Sequence, residues 1–283
     1  MVPRERRITL PHSTLAALVY GDEALPPLLA LHGWLDNAGS FARLAPLLAT
    51  RYHVIALDLP GHGRSDHLPA GASYHYADYV RAVLAVADAM DLPRYTLLGH
   101  SLGAGIASLA AAAAPDRIGQ LLLIEGLGPL GDDGTHTLQR FRNALSSGDQ
   151  ERKPLRLFSD VTQAIDVRSR ASGLAAVLAQ PIVERGLSQT DDGWRWSSDP
   201  RLTRASAVRL AESQVRALLR GIEAPSSLLL ARPATSYLPH DMMQARADCV
   251  ANIQVSQLDG GHHLHLEHPQ AVADWITACA VPS

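Results

Sequence analysis

The chain has 283 residues, 47% of them hydrophobic and 19% charged, with 25 Lys and Arg against 28 Asp and Glu for a formal charge of −3. This balance excludes disorder, collagen and fibre, and the length suffices to bury a large core. The basic residues are scattered, so no electrostatic footprint for nucleic acid or an anionic membrane exists and neither partner is expected. The stretch from Ile8 to Tyr20 is broken by Pro11, His12, Ser13 and Thr14, whereas a signal peptide carries an unbroken apolar run there. The longest apolar run, Gly103 to Ala114, contains Ser108 and falls short of the roughly 18 to 20 residues that span a bilayer. A cytoplasmic location is therefore expected. Cys249 and Cys279 are too few for a disulfide scaffold and have no Cys or His at metal spacing, so no metal is expected. Lys153 is the only lysine and alanine is abundant, a bias expected of a GC-rich bacterial genome.

Short apolar runs alternate with helical patterns, the arrangement of βα units around a parallel sheet. Ile8 to Leu10 and Leu15 to Tyr20 read as an opening antiparallel hairpin. Leu28 to Leu31 follows and ends at His32-Gly33-Trp34; Val54 to Leu57 ends at Asp58. After a helical stretch from Ala77 to Met90, Tyr95 to Leu98 ends at Gly99-His100-Ser101, and Ile118 to Ile124 ends at Glu125. Each strand delivers a polar or glycine-rich cluster at its C-terminal end, where parallel sheets bind ligands. From Gly126 to Arg220 the strand pattern disappears and the segment reads as helical, with one tight Asp191-Asp192-Gly193 turn. Strands resume at Ser227 to Leu230 and Ile253 to Val255, and an amphipathic helix from Pro269 to Ala280 closes the chain. The expected organisation is a core of residues 1–125 and 221–283 carrying a helical lid of residues 126–220.

Gly99-His100-Ser101-Leu102-Gly103 fits G-x-S-x-G after a strand and before the helical run from Ala104 to Ala114, the context of a nucleophile elbow. A serine on a sharp turn exposes its hydroxyl, and the turn closes only if the flanking residues are glycine. A nucleophilic Ser101 needs a base. Gly260-Gly261-His262-His263-Leu264-His265 follows the last strand, and His262 comes directly after the two glycines that let the loop swing its ring toward the serine. His263 and His265 read as flanking residues. The third member should be a carboxylate that orients the imidazole. The loop from Ala231 to Pro239 holds none, Asp259 is too near the His262 turn, and Asp241 reads as a capping box at a helix start. Glu125 remains, at the same sheet edge as Ser101, with Asp241 as the open alternative. Gly33 lets the backbone approach, so the Trp34 amide can join the Leu102 amide as an oxyanion hole. His32, His263, Trp194 and Trp196 are candidate substrate contacts. The segment from Asp58 to Ser65 lacks the spacing of a nucleotide-binding loop and reads as a turn bracing the site.

Together these motifs resemble the α/β-hydrolase superfamily over nearly the whole chain: His32-Gly33-Trp34, Asp58 to Ser65, the elbow at Ser101, and Gly261-His262 followed by Glu267 and Pro269. Leu31 to Phe41 is similar to the serine-hydrolase-like proteins. An acid ending the strand after the nucleophile, as at Glu125, resembles the haloalkane dehalogenases; those enzymes and the epoxide hydrolases use an aspartate nucleophile, so Ser101 argues against both activities. The absence of a carboxylate at Thr235 departs from the commoner family pattern. The resemblance implies an α/β-hydrolase fold and a cofactor-independent serine hydrolase acting on an ester or thioester of a small-molecule acyl substrate. The scarcity of Phe favours small to medium acyl groups. Acyl transfer, C–C hydrolysis, lyase chemistry or ligand sensing could use the same scaffold.

Overall fold

The computed structural model describes residues 1–146 and 156–280. Residues 147–155, with Lys153 and part of the expected lid, and residues 281–283 lie outside the described residues. The chain opens with β1 (Arg4–Leu10) and β2 (Ser13–Tyr20), an antiparallel pair, and continues through β3 (Pro27–Leu31) and the one-turn helix α1 (Ala45–Leu48). Next come β4 (His53–Leu57), α2 (Tyr76–Ala89), β5 (Tyr95–His100), α3 (Leu102–Ala113) and β6 (Ile118–Ile124). The following segment holds α4 (Thr137–Ser146), α5 (Val161–Ser172), α6 (Ala176–Gly186), β7 (Leu187–Thr190), β8 (Gly193–Trp196) and α7 (Glu212–Leu219). The chain ends with β9 (Ser226–Arg232), α8 (His240–Ala247), β10 (Ile253–Asp259), α9 (Leu264–Glu267) and α10 (Pro269–Ala278).

Eight strands form one sheet in the order β1-β2-β4-β3-β5-β6-β9-β10, parallel from β4 onward. Apolar runs make the inner parallel strands β3, β4, β5, β6 and β9 because both faces are covered. Leu29 and Leu31 of β3 join one core with Val83 of α2, Ile106 of α3, Val215 of α7 and Met243 of α8. Leu28 and Ala30 point the other way, toward Leu48 of α1 and Val272 and Ile276 of α10. The alternation is the period of two that a strand imposes on its side chains. β1 extends back to Arg4, further than expected, because an edge strand needs no apolar run; its first four residues are exposed and charged, which discourages pairing with another chain.

Two strands occur where none is expected. β7 and β8 pair antiparallel around the Asp191-Asp192-Gly193 turn, and at four residues each they are too short for alternation to register. α7 packs through the wholly buried Val215 and Leu219 into the main core, although the boundary at residue 220 assigns it to the lid.

The segment after β6 is tied to the loops at the C-terminal edge of the sheet by buried charge. Asp58, wholly buried, accepts hydrogen bonds from the amides of Ala38 (2.7 Å) and Arg64 (2.8 Å) and from Arg185 Nε of α6 (3.0 Å). Arg185 also grips Glu5 of β1 at 2.8 and 2.9 Å. Removing one member of a buried ion pair strands the other, so Asp58→Ala should cost about 3–5 kcal/mol, read as a lower urea midpoint. A loss below about 1 kcal/mol would show that Arg185 finds solvent or another partner instead.

Candidate active site

The sheet order places β3 between β4 and β5, so the chain leaves β3 on one side and returns on the other. Ligands bind in the crevice at such a switch point, beyond the C-terminal ends of the strands. Here the switch point falls where β3 runs into His32-Gly33-Trp34 and β5 into Ser101. Ser101 links β5 to α3 with φ +53° and ψ −113°, a conformation rarely adopted by a side-chain-bearing residue. Neighbouring glycines make the turn possible. A β-carbon on Gly103 would overlap the Leu31 carbonyl, and one on Gly99 would overlap the Gly103 carbonyl. The elbow is pinned on both sides, because the Ser101 amide donates to the Ile124 carbonyl and the Gly103 amide to the His32 carbonyl, each at 3.0 Å. Leu102 is the first residue of α3, where a helix amide has no intrahelical acceptor.

Glu125 follows β6, the strand beside β5, also at φ +53°. His262 Nδ1 donates to its Oε2 at 3.0 Å; the carboxylate is 2% exposed and the imidazole 17%. The loop after β9 completes the arrangement. Its Ala231 amide donates to Glu125 Oε1 at 2.6 Å, and the Thr235 hydroxyl donates to Oε2. Burial alone would raise the Glu125 acid, but hydrogen bonds from His262, Ala231 and Thr235 outweigh it and hold the carboxyl below its usual range. Thus Thr235 occupies the place where a carboxylate is more usual, and supports one from the next strand over.

The alternative acids lie elsewhere. Asp241 lines a cavity of about 560 Å³ together with Asp132, Asp133 and Glu212. It is not the helix cap expected from sequence: α8 begins at His240 after Pro239, and no side chain caps it. Asp259 ends β10 and pairs with Arg232 at 2.5 Å on the surface. Of the two glycines before His262, Gly260 is required by its backbone conformation. Gly260 has φ +153°, and a β-carbon on Gly261 would come within 2.6 Å of Glu267 Oε1. Glu267 itself accepts from the Gly261 amide at 2.6 Å, which closes the turn.

Four imidazoles gather here. The His100 ring centroid lies 4.8 Å from that of His262, 5.1 Å from His263 and 4.3 Å from His265. His100 Nε2 donates to the His262 carbonyl at 2.9 Å and so braces the loop that carries it. His32 is wholly buried, donates from Nδ1 to the Gly33 carbonyl (2.8 Å) and accepts the Leu59 amide at Nε2 (3.0 Å). Both its nitrogens are thus used inside the protein, which corrects its reading as a substrate contact. Sequence offered no signal for Tyr237, whose ring meets His262 edge-on at 5.4 Å.

Burial drives several of these rings to their neutral form: His32 is pushed down to about 4, His62 and His265 to about 3, and His100 also falls well below its ordinary value. An unfolded histidine takes up its proton near pH 6.5, so the unfolded chain binds more protons than the native one over about pH 4–6.5. Stability is therefore complete above about pH 6.5 and lost as pH falls toward about 4, by up to about 1.4 kcal/mol per pH unit for each such histidine. Urea midpoints measured across this range should fall steeply with acidification. A flat profile between about pH 7 and 5 would contradict the neutral cluster.

The family profile described as the alpha/beta hydrolase fold matches residues 26–269. The chain belongs to the α/β-hydrolase family. This α/β hydrolase is 30% identical over 279 residues to a serine hydrolase-like protein of Dictyostelium discoideum, covering 93% of this chain and 77% of the relative. It superposes on a hypothetical protein from Pseudomonas aeruginosa PAO1 with a TM-score of 0.89 and 39% identity, over 97% of this chain and 98% of the other. The thioesterase domain from the curacin biosynthetic pathway superposes with a TM-score of 0.84 and 26% identity, over 98% of this chain and all (100%) of that one. The fold and the serine-hydrolase-like grouping expected from sequence are therefore those of the protein.

The remaining expected contacts of the hydrolase divide by location. His263 lies against His262, with ring centroids 5.4 Å apart. Trp34 is 53% exposed and donates from Nε1 to the Leu202 carbonyl at 3.1 Å. Trp194 and Trp196 pack on a small core of Phe158, Ala164, Val183 and Leu187, with Trp196 edge-on to Phe158 at 5.4 Å. This is the packing arrangement that tryptophans alternating after a turn favour, with both rings partly buried. Among the described residues no helix is long and apolar enough to cross a membrane.

Proposed function

We propose that this α/β hydrolase cleaves a carboxylic ester or thioester of a small-molecule substrate through an acyl-enzyme on Ser101, as a carboxylesterase-like serine hydrolase. The observation that carries the reading is the 3.0 Å hydrogen bond from His262 Nδ1 to the buried Glu125, which leaves the Nε2 lone pair to take a proton. Ser101 Oγ attacks the carbonyl carbon while its proton passes to His262 Nε2. The Leu102 and Trp34 amides stabilise the oxyanion. The bond to the alcohol or thiol breaks as His262 returns that proton to the leaving group. Water then attacks the acyl carbon as His262 takes one of its protons, and the bond to Ser101 Oγ breaks as His262 returns that proton to the oxygen, releasing the carboxylic acid. Glu125 holds the tautomer and stabilises the imidazolium without taking the proton. No cofactor is needed for these steps. The name of the curacin thioesterase domain, at 26% identity, supports keeping thioesters beside esters.

The reading is tested by mixing the protein with a fluorophosphonate and with p-nitrophenyl esters and acyl thioesters of varied chain length, followed by mass spectrometry of the quenched protein. The expected result is an adduct on Ser101 and turnover favouring small to medium acyl groups. Absence of both labelling and turnover would overturn it.

A further inference from the structure

Asp36 stands outside the apparatus described above, yet three parts of the molecule converge on its carboxylate, which is 1% exposed. Its amide donates to the Gly33 carbonyl at 3.1 Å, closing the turn that carries the Trp34 amide. Its Oδ2 lies 3.5 Å from His263 Nε2 and accepts from the Ser40 hydroxyl at 3.5 Å. Ser40 in turn shares a 2.7 Å hydrogen bond with His265 Nε2. Its Oδ1 pairs with the guanidinium of Arg168, which reaches in from α5. Burial alone would raise the Asp36 acid, but His263 and Arg168 more than offset it, so the group is an anion. The packing here is close. A β-carbon on Gly33 would come within 3.2 Å of Asp36 Oδ2 and 3.0 Å of His100 Nδ1.

We infer that Asp36 is a positioning residue that keeps the oxyanion turn and His263, the neighbour of the base, in register, and that Arg168 is the hold of the segment after β6 on that register. The inference rests on the reading of Ser101 and His262 as nucleophile and base. Its physical basis is charge. Without Arg168 the buried anion loses a guanidinium partner, and Asp36 must take a proton or draw other donors toward itself, shifting the turn. A displacement of about 1 Å at a site of this kind can cost about a hundredfold in rate.

Kinetics and imidazole ¹⁵N spectra of wild type, Arg168→Ala, Arg168→Lys and Arg168→Ala with Asp36→Asn test the inference, with Glu5→Gln as the comparison. Glu5 also ties that segment to the core, through Arg185 at 2.8 and 2.9 Å, but touches neither Asp36 nor a histidine of the site. Arg168→Ala should lower kcat by about 10- to 100-fold at nearly unchanged KM, because the oxyanion contacts form only in the transition state. Arg168→Lys should recover part of the loss, and the loss with Asp36→Asn added should differ from the sum of the separate effects, since the two residues share a contact. The His263 ring signals should move in Arg168→Ala. Glu5→Gln should lower the melting temperature and leave kcat unchanged. An unmoved kcat and unmoved His263 signals in Arg168→Ala, or an equal kcat loss in Glu5→Gln, overturn the inference. If Arg168→Ala does not fold, Arg168→Lys carries the test, with smaller changes of the same sign expected and no change overturning it. If wild type neither labels nor turns over, the Ser101 reading fails and the His263 signals decide alone: moved in Arg168→Ala they support the positioning role, unmoved they overturn it.

Discussion

Ser101→Ala should lower kcat by about 10³- to 10⁶-fold, leaving only the rate that binding and the oxyanion donors supply. Stability should change little, within about 0.5 kcal/mol. The Ser101 side chain makes no capping bond at the start of α3, and the turn is held by its backbone, through the Ser101 amide to Ile124 and the Gly103 amide to His32. Alanine suffers at φ +53° much as serine does, so the elbow should keep its shape. Steady-state kinetics on an ester substrate, with melting curves of both proteins, check the pair of expectations. Retention of more than about a tenth of the wild-type rate would remove Ser101 from the mechanism.

Glu125→Gln is the second large effect. The new amide can still accept the Ala231 N–H through its oxygen, but its NH₂ would face His262 Nδ1, where only an acceptor holds the productive tautomer. A drop of about 10²- to 10⁴-fold in kcat is expected, since the equivalent change in a serine protease triad costs about 10⁴. Asp241→Asn should leave the rate unchanged, because Asp241 faces a separate cavity with Asp132 and Glu212. Equal losses in the two variants would sink the assignment of Glu125. The pH dependence adds a sign. The native Glu125 carboxyl sits below its unfolded value, so its contribution is present above about pH 4.5 and is lost only as pH falls through the lower native value. An acid limb of the rate profile lying above the ordinary carboxylate range therefore belongs to another group.

Much of this could be read locally. The elbow is a five-residue steric problem, and the two glycines around His100, Ser101 and Leu102 declare its solution, as the glycines before His262 do for the turn that delivers the imidazole. The inner parallel strands show as apolar runs because helices cover both faces of the sheet. His32 misled for a related reason. A histidine beside a site glycine looks like a ligand contact in one dimension, and only in three dimensions do Gly33 and Leu59 occupy its nitrogens. For Trp194 and Trp196 packing is legible after a turn, but not its partner, Phe158, more than thirty residues earlier.

By itself the sequence determined the strand pattern, the strained serine turn, the glycine hinge before His262 and the class of fold, since each follows from sterics or burial within a few neighbouring residues. Tertiary structure alone decided how charge is compensated. It placed Thr235 and the Ala231 amide on Glu125, Arg185 between Asp58 and Glu5, and Arg168 on Asp36. These partners are separated by up to 180 positions along the chain. A buried charge must be paired wherever the fold brings a partner within hydrogen-bond reach, and that meeting is set by how strands are ordered in space, which no local pattern encodes.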